Sequence, residues 1–366
     1  MRKRILIFTT SMGHQSLAEA VEQGFASHGW KTKTHFSEFS ETTLVYKPIY
    51  QLFPTLQKPF FKASQSKKIS KIFNQFYSNK KKKREIEKEI KWFKPDLVIS
   101  TYFLYNQTIE KLKNKYDYKY FNLIANPKTY SPMEVDPNAD TNLIYDKNGI
   151  DTAKAWGFDP KIFSVVGWPT RKQFFIKEKK KKEKPLTVLF CGGSWGTNST
   201  IKFLPCFLKV NADIKLILVS GSNKFLFKTF SFFKKGVESG VFSQKGNLNI
   251  DVYQFSKKIH WSMAKADLVI GKAGPNLIFE SVATQKPFIA ISHISGQEDG
   301  CLELIKEKKL GWVAQTPKKL TKLLREIIND PAVMKKLQKN INKERKINQK
   351  STEAITNVAE KLVNND

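Results

Sequence analysis

The sequence predicts an α/β protein built from two doubly wound domains, each with a parallel sheet. Short apolar runs alternate with helical patterns along most of the chain, which is typical of this fold class. Each half also opens with a strand, a glycine turn and a helix. In the first half, Arg4–Thr10 precedes Gly13 and His14. In the second half, Leu186–Phe190 precedes Gly192–Thr197, so the same unit is used twice.

The other predicted strands are short apolar runs between polar or glycine-containing segments. They are Asp96–Thr101, Tyr120–Ala125, Asn142–Tyr145 and Phe163–Val166 in the first half, and Ile214–Ser220, Ile250–Tyr253, Leu268–Ile270 and Phe288–Ile291 in the second. The charged segment Ile176–Lys184 is predicted to link the halves, and Lys335–Val363 is predicted to be a lysine-rich helix or helix pair. We therefore expect domains at 1–170 and 171–345, with residues 346–366 as a helix returning toward the first domain.

Composition favours a globular protein in the cytoplasm. Its 366 residues are 40% hydrophobic, and no apolar run approaches the ~20 residues of a membrane span. The apolar run Ile5–Phe8 is too short for a signal peptide. Cys191, Cys206 and Cys301 are far apart and lack metal-ligand spacing, which indicates a reducing compartment, and we expect two of them to be small core residues.

The net charge of +30 indicates an anionic partner. Only six of the 63 basic residues are arginine, so the forked side chains that read nucleic-acid bases are scarce. Lysine clusters at Lys80–Lys83 and Lys179–Lys182 suit diffuse attraction to an anionic membrane, although a lysine-biased genome also produces such a surface. The aromatic and lysine-rich segment Leu44–Tyr77 is interpreted either as a shallow membrane insertion or as a helical insertion over the domain.

Residues 267–300 predict a binding site for a nucleotide diphosphate. The apolar run Leu268–Ile270 ends in a glycine turn that opens a helix, and the N–H groups and dipole of a helix N-terminus attract anions. Glu280 follows on that helix, where a carboxylate accepts hydrogen bonds from a ribose diol. An ordinary strand, helix and strand with a glycine in the turn is the alternative interpretation.

Four motifs in order resemble those of the sugar-nucleotide glycosyltransferases with the GT-B fold. They are Gly13-His14 with Ser16–Ala20, Gly192–Gly196, Lys272–Pro275 with Glu280, and Ser295–Gly300. Together they resemble the group of monogalactosyldiacylglycerol synthases and processive diacylglycerol glucosyltransferases, and more distantly the N-acetylglucosaminyltransferase that forms lipid II. The resemblance runs from Ile5 to about Trp312 and implies two Rossmann-like domains facing a cleft.

The resemblance implies an inverting transfer of a hexose from a UDP-sugar to a membrane lipid like diacylglycerol. His14 is then the candidate base, and Gly13, Asn126 and Tyr130 bind the acceptor. The implied donor-binding residues are Arg171, Gly193, Ser194, Gly196, Phe255, Lys272, Gly274, Pro275, Asn276, Glu280, Gln297 and Glu298. Among them, Phe255 frames the uracil, Glu280 holds the ribose, and Gln297 and Glu298 hold the sugar. No cofactor or metal is expected beyond the UDP-sugar, and the enzyme is expected on the inner face of the cell membrane.

The chain also departs from the group at two places. Cys301 stands where an asparagine normally follows the motif Gly-Gln-Glu-x-Gly, which affects the choice of hexose. The stretch Ala125–Pro132 lacks the acidic residue and the histidine of the lipid synthases, which affects the acceptor. Three alternatives follow: transfer to a polyprenyl-linked or other acceptor, an epimerase with the same fold, and an inactive basic protein that binds membranes or nucleic acid.

Overall fold

The computed structural model describes residues 2–11, 13–38, 51–52, 57–67, 69, 80–176, 185–256 and 258–364. Most of the aromatic segment 44–77 and nearly all of the predicted linker 176–184 lie outside these residues. The chain forms two compact units, with the boundary between them at Lys172 and Gln173. Within the described ranges, no helix has both the length and the apolar composition needed to cross a bilayer.

The first unit contains a sheet of six parallel strands. They are β1 (Arg4–Thr9), β2 (Lys31–Phe36), β3 (Leu97–Ser100), β4 (Lys119–Leu123), β5 (Thr141–Ile144) and β6 (Phe163–Val165). Its helices include α1 (Gly13–Ser27), α2 (Gln57–Ser64), α3 (Lys80–Phe93), α4 (Asn106–Lys113) and α5 (Lys147–Ala155). Strand order is β2-β1-β3-β4-β5-β6, so the chain reverses direction across the sheet between β1 and β3.

The second unit also contains six parallel strands. They are β7 (Leu186–Cys191), β8 (Ile214–Val219), β9 (Leu248–Tyr253), β10 (Leu268–Lys272), β11 (Phe288–Ser292) and β12 (Gly311–Val313). Its helices include α6 (Pro205–Leu208), α7 (Lys224–Glu238), α8 (Ile259–Lys265), α9 (Pro275–Ala283), α10 (Asp299–Glu307) and α11 (Pro317–Asn329). The order β12-β11-β10-β7-β8-β9 is that of a Rossmann fold, with the reversal between β7 and β10.

The lysine-rich segment, expected to be one helix or a helix pair, forms two helices. They are α12 (Ala332–Gln349) and α13 (Ser351–Asn364), and the chain from Ile347 onward belongs to the first unit. There α13 packs against α1 at Gly24, where an added Cβ would lie 2.6 Å from the Cβ of Thr352. Only glycine permits so close an approach between these two helices.

The predicted fold class is confirmed, and each of the ten strands predicted from apolar runs is present. Eight of the ten are central strands, which are readily recognised because helices cover both faces of a parallel sheet and its strands become continuously apolar. Residues Ile5–Phe8 of β1, for example, have no exposed surface. The sequence did not predict β2, β12 or the helix α3. Strand β2 is an edge strand with partly exposed polar residues, and β12 has only three residues, so neither has a long apolar run.

Candidate active site

The reversal of strand order in the second unit places two loops side by side. Cys191, the last residue of β7, pairs in register with Gly271 of β10, so both strands end at the same level. The loop that begins at Gly192 and the turn at Ala273 and Gly274 therefore lie at the carboxyl edge of the sheet. In open α/β sheets, a ligand binds at this edge where the strand order reverses.

The loop after β7 folds tightly because of its glycines. Gly193 and Gly196 have φ of 84° and 69°, which disfavours residues with a Cβ. A Cβ on Gly196 would lie only 2.0 Å from the carbonyl oxygen of Ser220, so the loop packs directly on the backbone beyond β8. The N–H of Gly196 donates to the carbonyl of Gly193 at 3.1 Å. This N–H is therefore used inside the turn, although the resemblance implies that Gly196 binds the donor.

Helix α9 begins beside this loop. Gly274 occupies the N-cap position and Pro275 the first helical position, where a missing N–H costs no hydrogen bond. The N-terminal end of α9 thus lies at the carboxyl edge of β10 and directs the positive end of the helix dipole toward that edge. Glu280 lies further along α9 and is 7% exposed. Asn276, in the first turn, is partly buried.

A buried ion pair lies under the turn at Gly274. Lys272 Nζ pairs with Glu298 Oε1, and each side chain is 7% exposed. Glu298 Oε2 accepts a second hydrogen bond, from the N–H of Ile294 at 2.7 Å. A Cβ on Gly274 would lie 3.0 Å from Lys272 Nζ, so the turn closes over the pair. Both charges expected to meet the donor thus also neutralise each other inside the protein.

Three other predicted donor residues have accessible surface at or near this edge. Phe255, two residues beyond β9, is 60% exposed, which leaves its ring available for stacking on a base. Ser194 is exposed in the glycine loop, and its carbonyl accepts a hydrogen bond from the N–H of Ser222 at 2.9 Å. Gln297 is partly buried in the segment between β11 and α10.

In the first unit, His14 lies where β1 and β3 end together. Its Nδ1 is 2.5 Å from the carbonyl oxygen of Thr101, the first residue after β3. Because a carbonyl oxygen only accepts hydrogen bonds, the proton of the neutral ring is on Nδ1 and the lone pair is on Nε2. The ring of Tyr102 contacts that of His14 at 4.7 Å between centroids. The imidazole is therefore fixed in one tautomer.

The surroundings of His14 favour its neutral form. Burial lowers the pKa of the ring to about 4, although the hydrogen bond to Thr101 acts in the opposite direction. At neutral pH, Nε2 is thus unprotonated and chemically able to accept a proton. The loop is also held from the segment that follows β3, since the hydroxyl of Tyr105 donates to the carbonyl of Thr9 at 2.9 Å. Gly13, the first residue of α1, is partly buried beside it.

A second polar cluster lies beyond β4. Asn126 Nδ2 donates to Glu134 Oε2 at 2.6 Å, and the N–H of Ser131 donates to Glu134 Oε1 at 3.0 Å. Burial raises the pKa of Glu134 to about 7 despite these two donors. The loop that departs from the family pattern is therefore closed on itself by a carboxyl group that titrates near neutrality.

Comparison with known proteins shows two family models along the chain. The model described as monogalactosyldiacylglycerol (MGDG) synthase matches residues 14–170, and the glycosyltransferase family 28 C-terminal domain matches residues 187–361. The first match falls mainly in the first unit, and the second falls mainly in the second unit and ends within α13. The protein is a glycosyltransferase.

Similar proteins agree with this identification. The processive diacylglycerol beta-glucosyltransferase of Staphylococcus aureus (strain bovine RF122 / ET3-1) is 24% identical over 358 residues, covering 89% of this chain and 85% of the relative. Monogalactosyldiacylglycerol synthase 2, chloroplastic, of Arabidopsis thaliana is 23% identical, covering 88% of this chain and 72% of the relative. The sequence resemblance to this group is thereby confirmed.

Solved structures show the fold of the glycosyltransferase. MurG of Acinetobacter baumannii superposes with a TM-score of 0.62 at 15% identity, covering 99% of this chain and 100% of MurG. MnaA of S. aureus, solved with UDP, gives a TM-score of 0.64 at 12% identity, covering 99% of this chain and 97% of MnaA. These likenesses confirm the predicted GT-B fold.

The structure does not support Tyr130 as an acceptor-binding residue of the glycosyltransferase. It was expected to bind the acceptor, but its side chain is 1% exposed and its hydroxyl donates to the carbonyl of Gly149. Its ring packs edge-on against Trp156 at 5.2 Å. A tyrosine enclosed in this way is part of the core and has no surface for a ligand.

Arg171 forms an ion pair within the first unit. Arg171 belongs to the first unit, where its Nη1 is 3.1 Å from Glu19 Oε2 on α1. Its expected role at the phosphates stays a prediction.

Cys301 is in the first turn of α10 and is 2% exposed, and burial raises the pKa of its thiol well above the usual range. Cys191 and Cys206 are buried as well, which confirms the expectation of core cysteines.

Sequence reasoning missed three residues that organise these loops: Thr101, Glu134 and Asn223. Asn223 caps α7 by accepting from the N–H of Leu226 at 3.0 Å, and its Nδ2 donates to the carbonyl of Gly196 at 2.8 Å. Asparagine directly before an apolar helical run is an N-cap signal that would have identified it. Thr101 acts through its backbone, so its side chain gives no such signal.

Proposed function

We propose that this glycosyltransferase moves a hexose from a UDP-sugar to a hydroxyl group of a membrane lipid, with inversion at the anomeric carbon. The observation that carries the proposal is the fixed tautomer of His14, which leaves Nε2 unprotonated at the edge of the first sheet. The names of the relatives, a diacylglycerol glucosyltransferase and an MGDG synthase, support a diacylglycerol-like acceptor.

In the proposed reaction, His14 Nε2 accepts the proton of the acceptor hydroxyl as its oxygen attacks the anomeric carbon. The bond from that carbon to the diphosphate oxygen breaks, and UDP leaves with the bonding electrons. The positive end of α9 would stabilise the charge on the leaving diphosphate, with Arg171 as a second source of positive charge. The chemistry as proposed uses no metal cofactor.

Donor recognition is assigned to the second unit. Glu280 would accept hydrogen bonds from the ribose hydroxyls, and its place on α9 beyond the glycine turn supports this role. Phe255 would stack on the uracil, which its 60% exposure permits. Gln297 and Glu298 would contact the hexose, and Gly193, Ser194 and the turn Gly274–Asn276 would surround the diphosphate.

Calorimetry with UDP tests the donor half of the proposal. Wild-type protein should bind UDP saturably, and Glu280→Ala should weaken binding about a hundredfold or more because two hydrogen bonds to a charged group are lost. Glu238→Ala is the matched control, since Glu238 is an exposed carboxylate on α7 in the same unit. Absence of saturable binding by the wild type, or equal affinity in Glu280→Ala, would contradict the assignment.

Product analysis tests the acceptor half. The protein is incubated with UDP-glucose, UDP-galactose and UDP-GlcNAc over vesicles that contain diacylglycerol or a polyprenyl phosphate. Mass spectrometry identifies the glycosylated lipid, and proton NMR of the product gives its anomeric configuration. A β-linked hexosyl diacylglycerol is the expected product, made on the inner face of the cell membrane in vivo.

The altered loop favours one second candidate, transfer to a polyprenyl-linked acceptor. Asn126 and Ser131 stand in the stretch that lacks the group's acidic residue and histidine, and both hold Glu134. Glycosylation of the polyprenyl phosphate alone would favour this candidate. Salt-sensitive nucleic-acid binding without any UDP binding would instead indicate an inactive basic protein.

A further inference from the structure

Helix α7 (Lys224–Glu238) carries buried apolar side chains on one side and two exposed phenylalanines on another. Its inner side is formed by Leu226, Phe230, Phe233 and Val237, all at most 6% exposed. Phe225 and Phe232 are instead 61% and 66% exposed. They are seven residues apart, so they lie two turns from each other on one face of the helix.

Lysines lie on and beside the same face. Lys228 and Lys235 are exposed and fall between or next to the two phenylalanines at helical spacing, and Lys224 is exposed in the first turn. Glu238 is the sole acidic residue in this helix, and it pairs with Lys234 at 3.6 Å. Beyond the helix, Val241 is 74% exposed. We call Phe225, Lys228, Phe232 and Lys235 the α7 face.

We propose that the α7 face is a docking surface for an anionic lipid bilayer. Aromatic side chains beside lysines are the composition of helices that lie in a membrane interface, where rings enter the headgroup region and ammonium groups meet anionic lipids. The net charge of +30 adds a long-range attraction between the protein and an anionic bilayer.

Charge decides against a second copy of this chain as the occupant. A symmetric dimer through the α7 face would bring the same patch of each copy together, and its lysines would face lysines. An anionic bilayer instead offers opposite charge and an apolar layer at once. The bilayer is therefore the occupant that fits both features of the face.

Docking of the α7 face would bring the donor loop near the lipid. Asn223, two residues before Phe225, caps α7 and donates to the carbonyl of Gly196. The first turn of the docking helix is thus attached directly to the glycine loop. This consequence rests on the proposed function, whereas membrane docking itself does not depend on which sugar or acceptor is used.

Cosedimentation of the full chain with sucrose-loaded vesicles tests the proposal. Vesicles of phosphatidylglycerol and phosphatidylcholine in equal parts are compared with phosphatidylcholine alone. The wild type should prefer the anionic vesicles, and Phe225→Ser with Phe232→Ser should reduce that binding about tenfold or more. Lys228→Glu with Lys235→Glu should reduce it and weaken its salt dependence.

Trp261→Ser is the matched control, because Trp261 is a 50% exposed aromatic residue on α8 of the same unit. It should bind anionic vesicles as the wild type does. UDP affinity, measured by calorimetry, should be unchanged in the phenylalanine variant, which shows that the unit is folded. Equal vesicle binding by the wild type and the phenylalanine variant would overturn the proposal.

Two further outcomes distinguish membrane docking from self-association and from the proposed catalysis. If the phenylalanine variant keeps its vesicle binding and changes only the oligomeric state in sedimentation velocity, the face is a contact between copies and the proposal is overturned. If the variant loses vesicle binding while the wild type glycosylates no lipid, the docking surface is supported and the proposed function fails.

Discussion

The carboxyl edges of the two sheets present different kinds of chemical group. In the first unit, the groups at the edge are side chains whose protonation is controlled, namely His14 and Glu134. In the second unit, they are backbone turns and a helix N-terminus, organised by glycines such as Gly196 and Gly274. The difference follows from chemistry: proton transfer needs a titratable atom in a fixed tautomer, whereas an anion is held by many small dipoles at close approach.

The largest expected effect is at His14. His14→Gln keeps a donor for the carbonyl of Thr101 but removes the base, so the rate of transfer should fall about 10²–10⁴-fold with unchanged UDP affinity. Initial rates with UDP-sugar and lipid, together with UDP calorimetry, measure this. Because burial lowers the pKa of His14 to about 4, the wild-type rate should persist below pH 6.5 and decline only as the pH approaches about 4. A variant rate within threefold of the wild type would exclude His14 as the base.

The buried ion pair of the second unit is expected to have the next largest effect. Lys272→Met leaves Glu298 charged and buried, which should cost about 3–5 kcal/mol in the free energy of unfolding, and adding Glu298→Gln should recover part of it. Lys215→Met is the control, since Lys215 and Asp251 form a partly exposed pair on the same sheet, with side chains 44% and 34% exposed, and this pair should contribute under about 1 kcal/mol. If Lys272→Met and Lys215→Met lower the free energy of unfolding equally, burial adds nothing to the contribution of the Lys272–Glu298 pair.

The glycine loop provides a comparison at nearly equal backbone angles. Gly196 and Gly240 have φ of 69° and 75°, but a Cβ clashes with the carbonyl of Ser220 only at Gly196. Gly240→Ala should cost about 1–2 kcal/mol from its left-handed conformation alone. Gly196→Ala should cost more and abolish UDP binding, as thermal melting and calorimetry would show. Wild-type UDP affinity in Gly196→Ala would remove the loop from the donor site.

The smallest expected effect concerns Glu134 and depends on pH. Because its pKa is raised to about 7 in the folded protein, the folded state holds a proton that the unfolded state releases between about pH 4.5 and 7. This contribution to stability is present at low pH and is lost as pH rises through 7. The melting temperature of Glu134→Gln minus that of the wild type should therefore increase by about 2–5 °C from pH 5 to pH 8.

Glu326→Gln is the control for this pH dependence, because Glu326 is exposed on α11. Its melting temperature should differ from that of the wild type by the same amount at both pH values. A Glu134→Gln variant with a pH-independent difference would show that the carboxyl group is ionised throughout this range.

Much of the local structure around the candidate donor site was predictable because it depends on local sequence. The glycine loops, the proline at the start of α9 and the strands that precede them are readable from residue type and spacing. The pairing of Lys272 with Glu298 was not readable, because 26 residues separate them and their charges suited a ligand equally well. Tyr130 was misassigned for a related reason: a tyrosine in a polar loop gives no sign of whether its ring faces a core or a ligand.

The sequence by itself determined the two α/β halves, the positions of the turns and the candidate base, since hydrophobic periodicity, glycine and histidine carry that information locally. Tertiary structure alone decided which atoms meet. The carbonyl of Thr101 sets the tautomer of His14, Asn223 attaches α7 to the glycine loop, and α7 leaves two phenylalanines exposed. Burial and hydrogen bonding depend on residues far apart in the chain, and only the folded arrangement brings these residues together.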